Sequence, residues 1–251
     1  MSVVTRQFVA TAATVLLAPA LIAQGLLIRG RTPRLPGAGG PASGLVPGIG
    51  QPLRLLVLGE STVAGIGAAD HGAALTGQLA HTLARETGRS MRWRATGRSG
   101  SDVRTVHREL LAAACAEPAD LVVLALGVND TIGLRPAAGF RLDVLRLVAG
   151  LRRRLGPVPV LLAGVPPLGR FPALPQPLRL VLGLRARALD AALAQLAALP
   201  RTVHVPMSRG ALDAGSFAGD GFHPGPEGYA FWGAQLGTEA LRSGLVSAHA
   251  S

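Results

Sequence analysis

Short apolar runs alternate with longer segments along most of the chain. Four of these runs are each followed directly by glycine or proline: Leu53 to Leu58, Leu121 to Leu126, Val158 to Ala163 and Arg201 to Val205. Runs of this length and character are typical of parallel strands that helices cover on both faces. Met91 to Ala95 predicts a further strand.

The segments between these runs are long enough for the crossover helices that parallel strands require. There are five of them: Ala73 to Thr87, Val103 to Cys115, Pro136 to Leu155, Pro177 to Leu199 and Pro226 to Arg242. Alternating strands and helices predict an α/β fold, a three-layer α/β/α sandwich with a central parallel sheet. Such sheets bind ligands outside the carboxyl ends of their strands, so we expect the functional residues there.

The amino end is apolar and uncharged over residues 8–28, close to the roughly 20 residues that cross a bilayer as a helix. One interpretation is a signal peptide with a cleavage site at Ala18-Pro19-Ala20; the other is an uncleaved anchor reaching Ile28, which the length favours. We expect residues 1–31 to be an anchor or signal segment that contacts the membrane through residues 8–28, in a protein that is membrane-anchored or exported to the cell envelope. Positive charge flanks the run on both sides and leaves the orientation open: Arg6 before it, and Arg29, Arg31 and Arg34 after it.

Proline and glycine are frequent in residues 32–52, which predicts a linker without helix or strand. The folded domain is then expected to cover residues 53–245. A chain of 251 residues has room for one such α/β domain with a sizeable core.

Composition narrows the possible partners. The net charge is +11, but the 25 basic residues are all arginines and are scattered along the chain, so we expect no nucleic-acid partner. The single cysteine, Cys115, excludes an intramolecular disulfide and a thiolate metal cage. No histidine pair has metal-ligand spacing, and we therefore expect no metal and no cofactor.

Two short motifs carry candidate chemistry. Ser61 follows the first predicted strand, and Asp220 precedes His223 by three residues near the carboxyl end. A serine hydroxyl becomes nucleophilic when a histidine takes its proton, and a carboxylate fixes the tautomer of that histidine. The alternatives are a helix N-cap for Ser61, a turn residue for Asp220 and a surface position for His223.

Two further positions offer hydrogen-bond donors for a developing oxyanion. Gly100 lies in a polar turn before the second predicted helix, and Asn129 follows the strand that ends at Leu126. A backbone N–H and a side-chain amide can stabilise a tetrahedral intermediate. The alternatives are a tight turn at Gly100 and an Asx-turn at Asn129.

The ordered set of motifs resembles the four blocks of the SGNH (GDSL-like) esterase and lipase family, over about Leu53 to Arg242. The resemblance implies a flavodoxin-like three-layer fold, a Ser61 nucleophile and a triad completed by Asp220 and His223. It also implies an oxyanion hole formed by the N–H groups of Ser61 and Gly100 and the Asn129 amide. Glu60 departs from the aspartate that is commoner before the serine, which puts the bracing of that turn in question. The matching residues are Gly59-Glu60-Ser61, Gly100, Gly127-Val128-Asn129-Asp130 and Asp220-x-x-His223.

The sequence thus predicts a serine ester hydrolase acting on a small-molecule, lipid or carbohydrate ester. One alternative is an O-deacetylase of cell-envelope carbohydrate, which the low aromatic content of 4% disfavours. Another is a membrane-tethered binding protein without turnover, which the intact set of candidate residues argues against. The apolar connection from Gly164 to Gly183 either lines an acyl pocket or packs as an ordinary loop.

Overall fold

The computed structural model describes residues 3–31, 33–208 and 213–247, and side chains at Arg29 and Arg31 lie outside that description. Six strands form one sheet: β1 Ser43–Val46, β2 Ile49–Gly59, β3 Arg89–Gly97, β4 Leu121–Ala125, β5 Val160–Ala163 and β6 Thr202–Val205. Their order is β1-β3-β2-β4-β5-β6. Strands β2 to β6 are parallel, and β1 pairs antiparallel with β3 at the edge. The sheet is therefore mixed but mostly parallel.

Helices connect the strands close to where the hydrophobic pattern predicts them. Between Val103 and Ala114 the helix passes through one π-helical turn at Val106–Leu110. The helices of the sheet region are α3 Leu75–Thr87, α4 Val103–Thr105, α5 Leu111–Ala114, α6 Val128–Ile132, α7 Ala137–Leu155, α8 Leu178–Ala194 and α9 Pro226–Arg242. Two more, α1 Val3–Leu16 and α2 Ala18–Arg31, precede the sheet.

The sheet separates two apolar cores because successive strand residues point to opposite faces. Leu56 and Leu58 of β2 belong to the core shared with α7 and α8, whereas Leu55 and Val57 belong to the core shared with α3 and α9. The α/β/α sandwich predicted from the sequence is confirmed. Its sheet differs from the prediction only in the antiparallel edge strand.

The expectation of no strand in residues 32–52 is wrong, because β1 and the start of β2 lie there. Gly44 in this segment has a packing role. At Gly44, which pairs with Trp93 of β3, a Cβ atom would lie 2.6 Å from the indole ring, so only glycine fits beneath it. Sheet structure consequently begins at Ser43, before the boundary expected at Leu53.

The apolar amino end forms two helices bent by 83° at Leu17, where the sequence predicted one. Pro19 lacks an N–H to bond the carbonyl of Val15, and its ring clashes with that carbonyl, so a continuous helix cannot pass this point. Among the described residues, no single helix is long and apolar enough to cross a membrane, although α1 and α2 together meet the criterion of length and composition.

Two glutamines join these helices to the rest of the fold. Gln7 Oε1 accepts a bond from Ala137 N at 3.0 Å, and Gln24 Oε1 accepts one from Leu178 N at 3.1 Å. Ala137 and Leu178 are the first residues of α7 and α8, which both follow a proline that provides no side-chain cap. The glutamines therefore satisfy N–H groups that every helix leaves unpaired in its first turn.

Replacing Gln7 and Gln24 together by alanine is expected to lower the free energy of unfolding by about 1–3 kcal/mol, since losing a capping bond costs about 0.5–2 kcal/mol. Thermal and urea unfolding of the full chain would measure this change. Gln195→Ala, at an exposed position, is the control. A double variant as stable as the Gln195→Ala protein would contradict this packing of α1 and α2.

Candidate active site

Ser61 lies at the carboxyl end of β2, in a compact turn that we call the serine turn (residues 60–67). Val63 N and Ala64 N both donate to Glu60 O, and Ile66 N donates to Ser61 O at 3.1 Å. The first helix after β2 begins only at Leu75, so the alternative of Ser61 as a helix N-cap does not hold. The turn leaves Ser61 largely buried, with 7% of its surface exposed.

Asp220 and His223 face each other across one turn of the loop over residues 218–225, called here the histidine loop. Asp220 Oδ2 lies 2.6 Å from His223 Nδ1, while Asp220 Oδ1 accepts bonds from Phe222 N and His223 N, both at 2.9 Å. Gly221 adopts a positive φ of 62°, which allows the tight turn that brings the two side chains together. The three-residue spacing in the sequence thus produces a direct carboxylate–imidazole contact.

The electrostatics of this pair keep the carboxylate ionised. Burial by itself would raise the pKa of Asp220, but the bonds from the His223 ring and from the two backbone N–H groups outweigh it, and the pKa lies below its ordinary value. An ionised carboxylate only accepts hydrogen bonds, so the Nδ1 atom of His223 carries the hydrogen. Nε2 of the neutral ring is then the atom available to take a proton.

The serine turn and the histidine loop are packed against each other. A Cβ atom on Gly67, whose φ is 91°, would lie 2.4 Å from Pro224 O, so the two backbones touch at this glycine. Tyr229 of α9 is fully buried and donates from its hydroxyl to Ile66 O at 2.6 Å. These contacts bring Ser61 and His223 to the walls of one cavity. The hydrogen bonds of the described residues do not include one between the Ser61 hydroxyl and the His223 ring.

The cavity is lined mainly by apolar side chains. Phe171 stacks edge-to-face on Phe217 and Phe222, with ring centroids 5.3 and 5.1 Å apart, and Phe222 contacts the His223 ring at 5.3 Å. Phe171 and Pro166 come from the connection between Gly164 and Gly183, and other residues of that connection pack into the core. Part of this segment therefore lines the cavity, and part of it packs as an ordinary loop on the core. The cavity is lined by Ser61, Thr62, Val128, Pro166, Phe171, Met207, Ser216, Phe217, Phe222, His223, Pro224, Gly228 and Trp232.

The two predicted oxyanion donors lie on adjoining turns. Gly100 is exposed, with a φ of 78°, directly before Ser101. The Asn129 side chain, at the start of α6, donates from Nδ2 to Ser101 O at 3.2 Å and to the Glu60 carboxylate. In the described part of the chain, those bonds replace the Asx-turn considered as an alternative. Asn129 is thereby linked both to the turn containing Gly100 and to the residue preceding Ser61.

Glu60, whose departure from the commoner aspartate put the bracing of the serine turn in question, is held by the start of α6. Its side chain is buried and accepts bonds from Val128 N at 2.9 Å, from Asn129 N at 3.0 Å and from Asn129 Nδ2. Burial raises its pKa to about 7, against the lowering effect of these bonds. The sequence could have predicted such bonds, because a carboxylate at the end of a buried strand must find hydrogen-bond donors nearby.

A second aspartate–histidine pair lies outside this cavity. His204 Nε2 is 2.8 Å from Asp190 Oδ1, which also accepts a bond from Val165 N at 3.0 Å. The pair resembles Asp220–His223 in its contacts, but neither residue lines the cavity containing Ser61. Across residues 3–31, 33–208 and 213–247, no group of three or more His, Cys, Asp or Glu side chains is arranged to hold a metal ion.

Comparison with known proteins identifies the family to which the chain is similar. The family model of the GDSL-like lipases and acylhydrolases matches residues 57–231. The GDSL-like esterase Rv1075c of Mycobacterium tuberculosis is 30% identical over 206 residues, which are 77% of this chain and 63% of that protein. The chain therefore spans less than two thirds of the length of this relative.

Solved structures show the same fold at lower identity. TesA superposes with a TM-score of 0.62 at 24% identity, covering 77% of this chain and 99% of that one. The lipase Lip_vut3 from a goat rumen metagenome gives a TM-score of 0.61 at 14% identity, covering 73% and 95%. The family match, over residues 57–231, runs from the end of β2 through β6 and into α9. The chain thus belongs to the GDSL-like lipase/acylhydrolase family.

Proposed function

We propose that the protein is a serine ester hydrolase with Ser61 as nucleophile, His223 as general base and Asp220 as the residue that orients the base. The observation that carries the proposal is the convergence of Ser61 with the Asp220–His223 pair on one apolar cavity. The second aspartate–histidine pair, Asp190 and His204, lies outside that cavity, which supports assigning the base to His223.

The reaction follows from the protonation states of these groups. His223 Nε2 accepts the Ser61 proton while Ser61 Oγ bonds to the ester carbonyl carbon, forming a tetrahedral intermediate. When the intermediate collapses, the C–O bond to the alcohol breaks and His223 returns the proton to the leaving oxygen. A water molecule, deprotonated by His223, then attacks the acyl-enzyme and releases the carboxylic acid and Ser61.

The negative charge on the carbonyl oxygen is stabilised by fixed donors, for which we propose the N–H groups of Ser61 and Gly100 and Nδ2 of Asn129. Gly100 adopts a positive φ without strain, and its turn is bonded to the Asn129 amide through Ser101. The proposed reaction uses neither a metal nor an organic cofactor.

The apolar lining of the cavity favours an ester with an apolar acyl chain. Phe171, Phe217 and Phe222 form an apolar wall beside His223, and burial of each methylene of an acyl chain against such a wall contributes about 0.8 kcal/mol. We therefore propose an acyl chain longer than acetyl.

Hydrolysis of p-nitrophenyl esters from acetate to dodecanoate, by the full chain and its Ser61→Ala variant, tests the serine hydrolase mechanism and the proposed acyl-chain length. Serine-dependent turnover with kcat/KM rising beyond acetate is expected. A preference for acetate would instead support deacetylation. Equal, negligible rates in both proteins would reject the hydrolase proposal and favour a binding protein on the same fold.

We also propose that α1 and α2 contact a lipid surface. They expose large apolar side chains, among them Phe8 at 72% and Leu16 at 80% of their surface, which is unfavourable in water. Phe8→Ser/Leu16→Ser is expected to reduce co-sedimentation with phosphatidylcholine–phosphatidylglycerol vesicles several-fold. Ile49→Ser, at a position exposed to 65% on the sheet, is the matched control. Equal vesicle binding by the two variants would reject this contact.

A further inference from the structure

One buried carboxylate connects the serine turn to the amide proposed for the oxyanion hole. Glu60 precedes Ser61 and is only 2% exposed, and its carboxylate accepts three hydrogen bonds from residues 128 and 129 at the start of α6. Glu60 N also donates to Ala125 O of β4 at 3.3 Å, so its backbone holds the end of β2 to the end of β4, while its side chain holds the end of β2 to the start of α6.

From these contacts we propose that Glu60 is a positioning residue, which fixes the orientation of the Asn129 amide so that its N–H groups serve the oxyanion. This inference rests on the proposed hydrolase function. Glu60 itself touches no reacting atom, and acts only through Asn129 and the backbone of α6.

The chemistry of the carboxylate makes this orientation specific. The two ends of an asparagine amide have nearly the same shape, so packing alone does not distinguish Oδ1 from Nδ2. An ionised carboxylate only accepts hydrogen bonds, and it would repel Oδ1 of Asn129 if the amide were flipped. One hydrogen of Nδ2 therefore faces Glu60, and the other faces the Gly100–Ser101 turn, where Ser101 O accepts it at 3.2 Å.

The second Nδ2 hydrogen is the one available to substrate. Its bond to Ser101 O is long compared with the usual N–H···O distance of about 2.9–3.0 Å. An oxyanion held beside Gly100 would compete for this hydrogen, and the bond to Glu60 would stay intact. A flipped amide would present Oδ1 to the same place and would destabilise the oxyanion.

Glu60 must be ionised to hold the amide in this way. Burial raises its pKa to about 7, and the neighbouring Asp130 of α6 adds to the rise. Asp130 is also buried, which raises its pKa to about 6, and Asp102, Asp143 and Arg135 act on it in turn. Protonation of Glu60 below neutral pH would place a hydroxyl donor against the donors of α6.

Two substitutions separate this role from simple packing. Glu60→Gln keeps the size but replaces one carboxylate oxygen by an NH₂ group, which meets either Val128 N or the two donors of Asn129. Glu60→Asp removes a methylene but keeps an acceptor-only group. We expect Glu60→Gln to lower kcat by about 100-fold with little change in KM, within the range for a lost oxyanion donor. We expect Glu60→Asp to retain more activity than Glu60→Gln, the opposite of the order that packing alone predicts.

A double-mutant cycle with Asn129→Ala tests whether Glu60 acts through the amide. Asn129→Ala is expected to lower kcat by about 100- to 1,000-fold, and adding Glu60→Gln should then cost less than about threefold more. The slope of log kcat against pH below 7 should also be smaller in Glu60→Gln than in the wild type, because one ionisation is removed. Asp120→Asn, whose carboxylate bonds Arg54 N at 2.8 Å at the opposite end of the sheet, is the control.

Wild-type kcat in Glu60→Gln, losses that multiply fully in the cycle, or Glu60→Asp less active than Glu60→Gln would each overturn the inference. Circular dichroism confirms beforehand that each variant is folded. The failure of the hydrolase proposal is a different result, in which the wild type and Ser61→Ala hydrolyse esters at the same rate.

Discussion

Ser61→Ala and His223→Ala are each expected to lower kcat for a p-nitrophenyl ester by about four to six orders of magnitude. Without the hydroxyl no acyl-enzyme forms, and without the imidazole the hydroxyl keeps its proton. Because both residues act in one step, the double variant should be nearly as active as either single variant. Steady-state rates, together with the burst of p-nitrophenol at high enzyme concentration, measure these effects.

Stability should change little in these two variants, since neither side chain belongs to the two apolar cores. Ser99→Ala, at an exposed position in the turn next to Gly100, is the control and should keep wild-type turnover. Retention of more than about a tenth of the wild-type kcat in Ser61→Ala would exclude Ser61 as the nucleophile.

Asp220→Asn is expected to lower kcat by about 10⁴-fold, the effect of placing an amide donor against a histidine that needs an acceptor. With Asn at this position the ring favours the tautomer with hydrogen on Nε2, which cannot take the serine proton. KM should change much less, because Asp220 does not line the cavity. Kinetics of the variant against Asp190→Asn, which alters the other aspartate–histidine pair, measure the effect.

The pH dependence of stability provides a second measurement on Asp220. Its folded-state pKa lies below the ordinary value, so the ionised carboxylate stabilises the fold above the unfolded-state pKa near 3.8. That contribution is lost as the pH falls through the folded-state pKa. Urea unfolding should therefore show the wild type and Asp220→Asn differing more at pH 7 than at pH 3. A difference that does not depend on pH would contradict this account.

Local signals in the sequence determined a large part of the fold. The apolar runs that predicted strands lie within or beside β2 to β6, because a strand buried on both faces must be apolar throughout. The helical segments between these runs were predictable because parallel strands need long crossover connections. The break between α1 and α2 was equally readable from Pro19, and the length of the apolar run concealed it.

In the candidate site too, contacts within one turn were predictable from the sequence, and contacts between distant segments were not. Asp220 and His223 are three residues apart, so their contact depends on one local turn and was predictable. The approach of Ser61 to His223 depends on two distant segments meeting at Gly67 and Pro224. Its general position followed from the parallel sheet, which gathers strand ends at one edge, but the cavity that the two residues share did not.

The sequence by itself determined the α/β architecture, the order of the strands' segments along the chain and the residue types at the sheet's active edge, because these depend on local periodicity and spacing. Only the tertiary structure decided the antiparallel pairing of β1 and the capping of α7 and α8 by Gln7 and Gln24. It also decided that the Glu60 carboxylate accepts hydrogen bonds from Val128 N and Asn129 N, which lie 68 and 69 positions further along the chain. Each of these joins groups that are far apart in the chain, and short-range patterns carry no information about which distant donor a buried acceptor will meet.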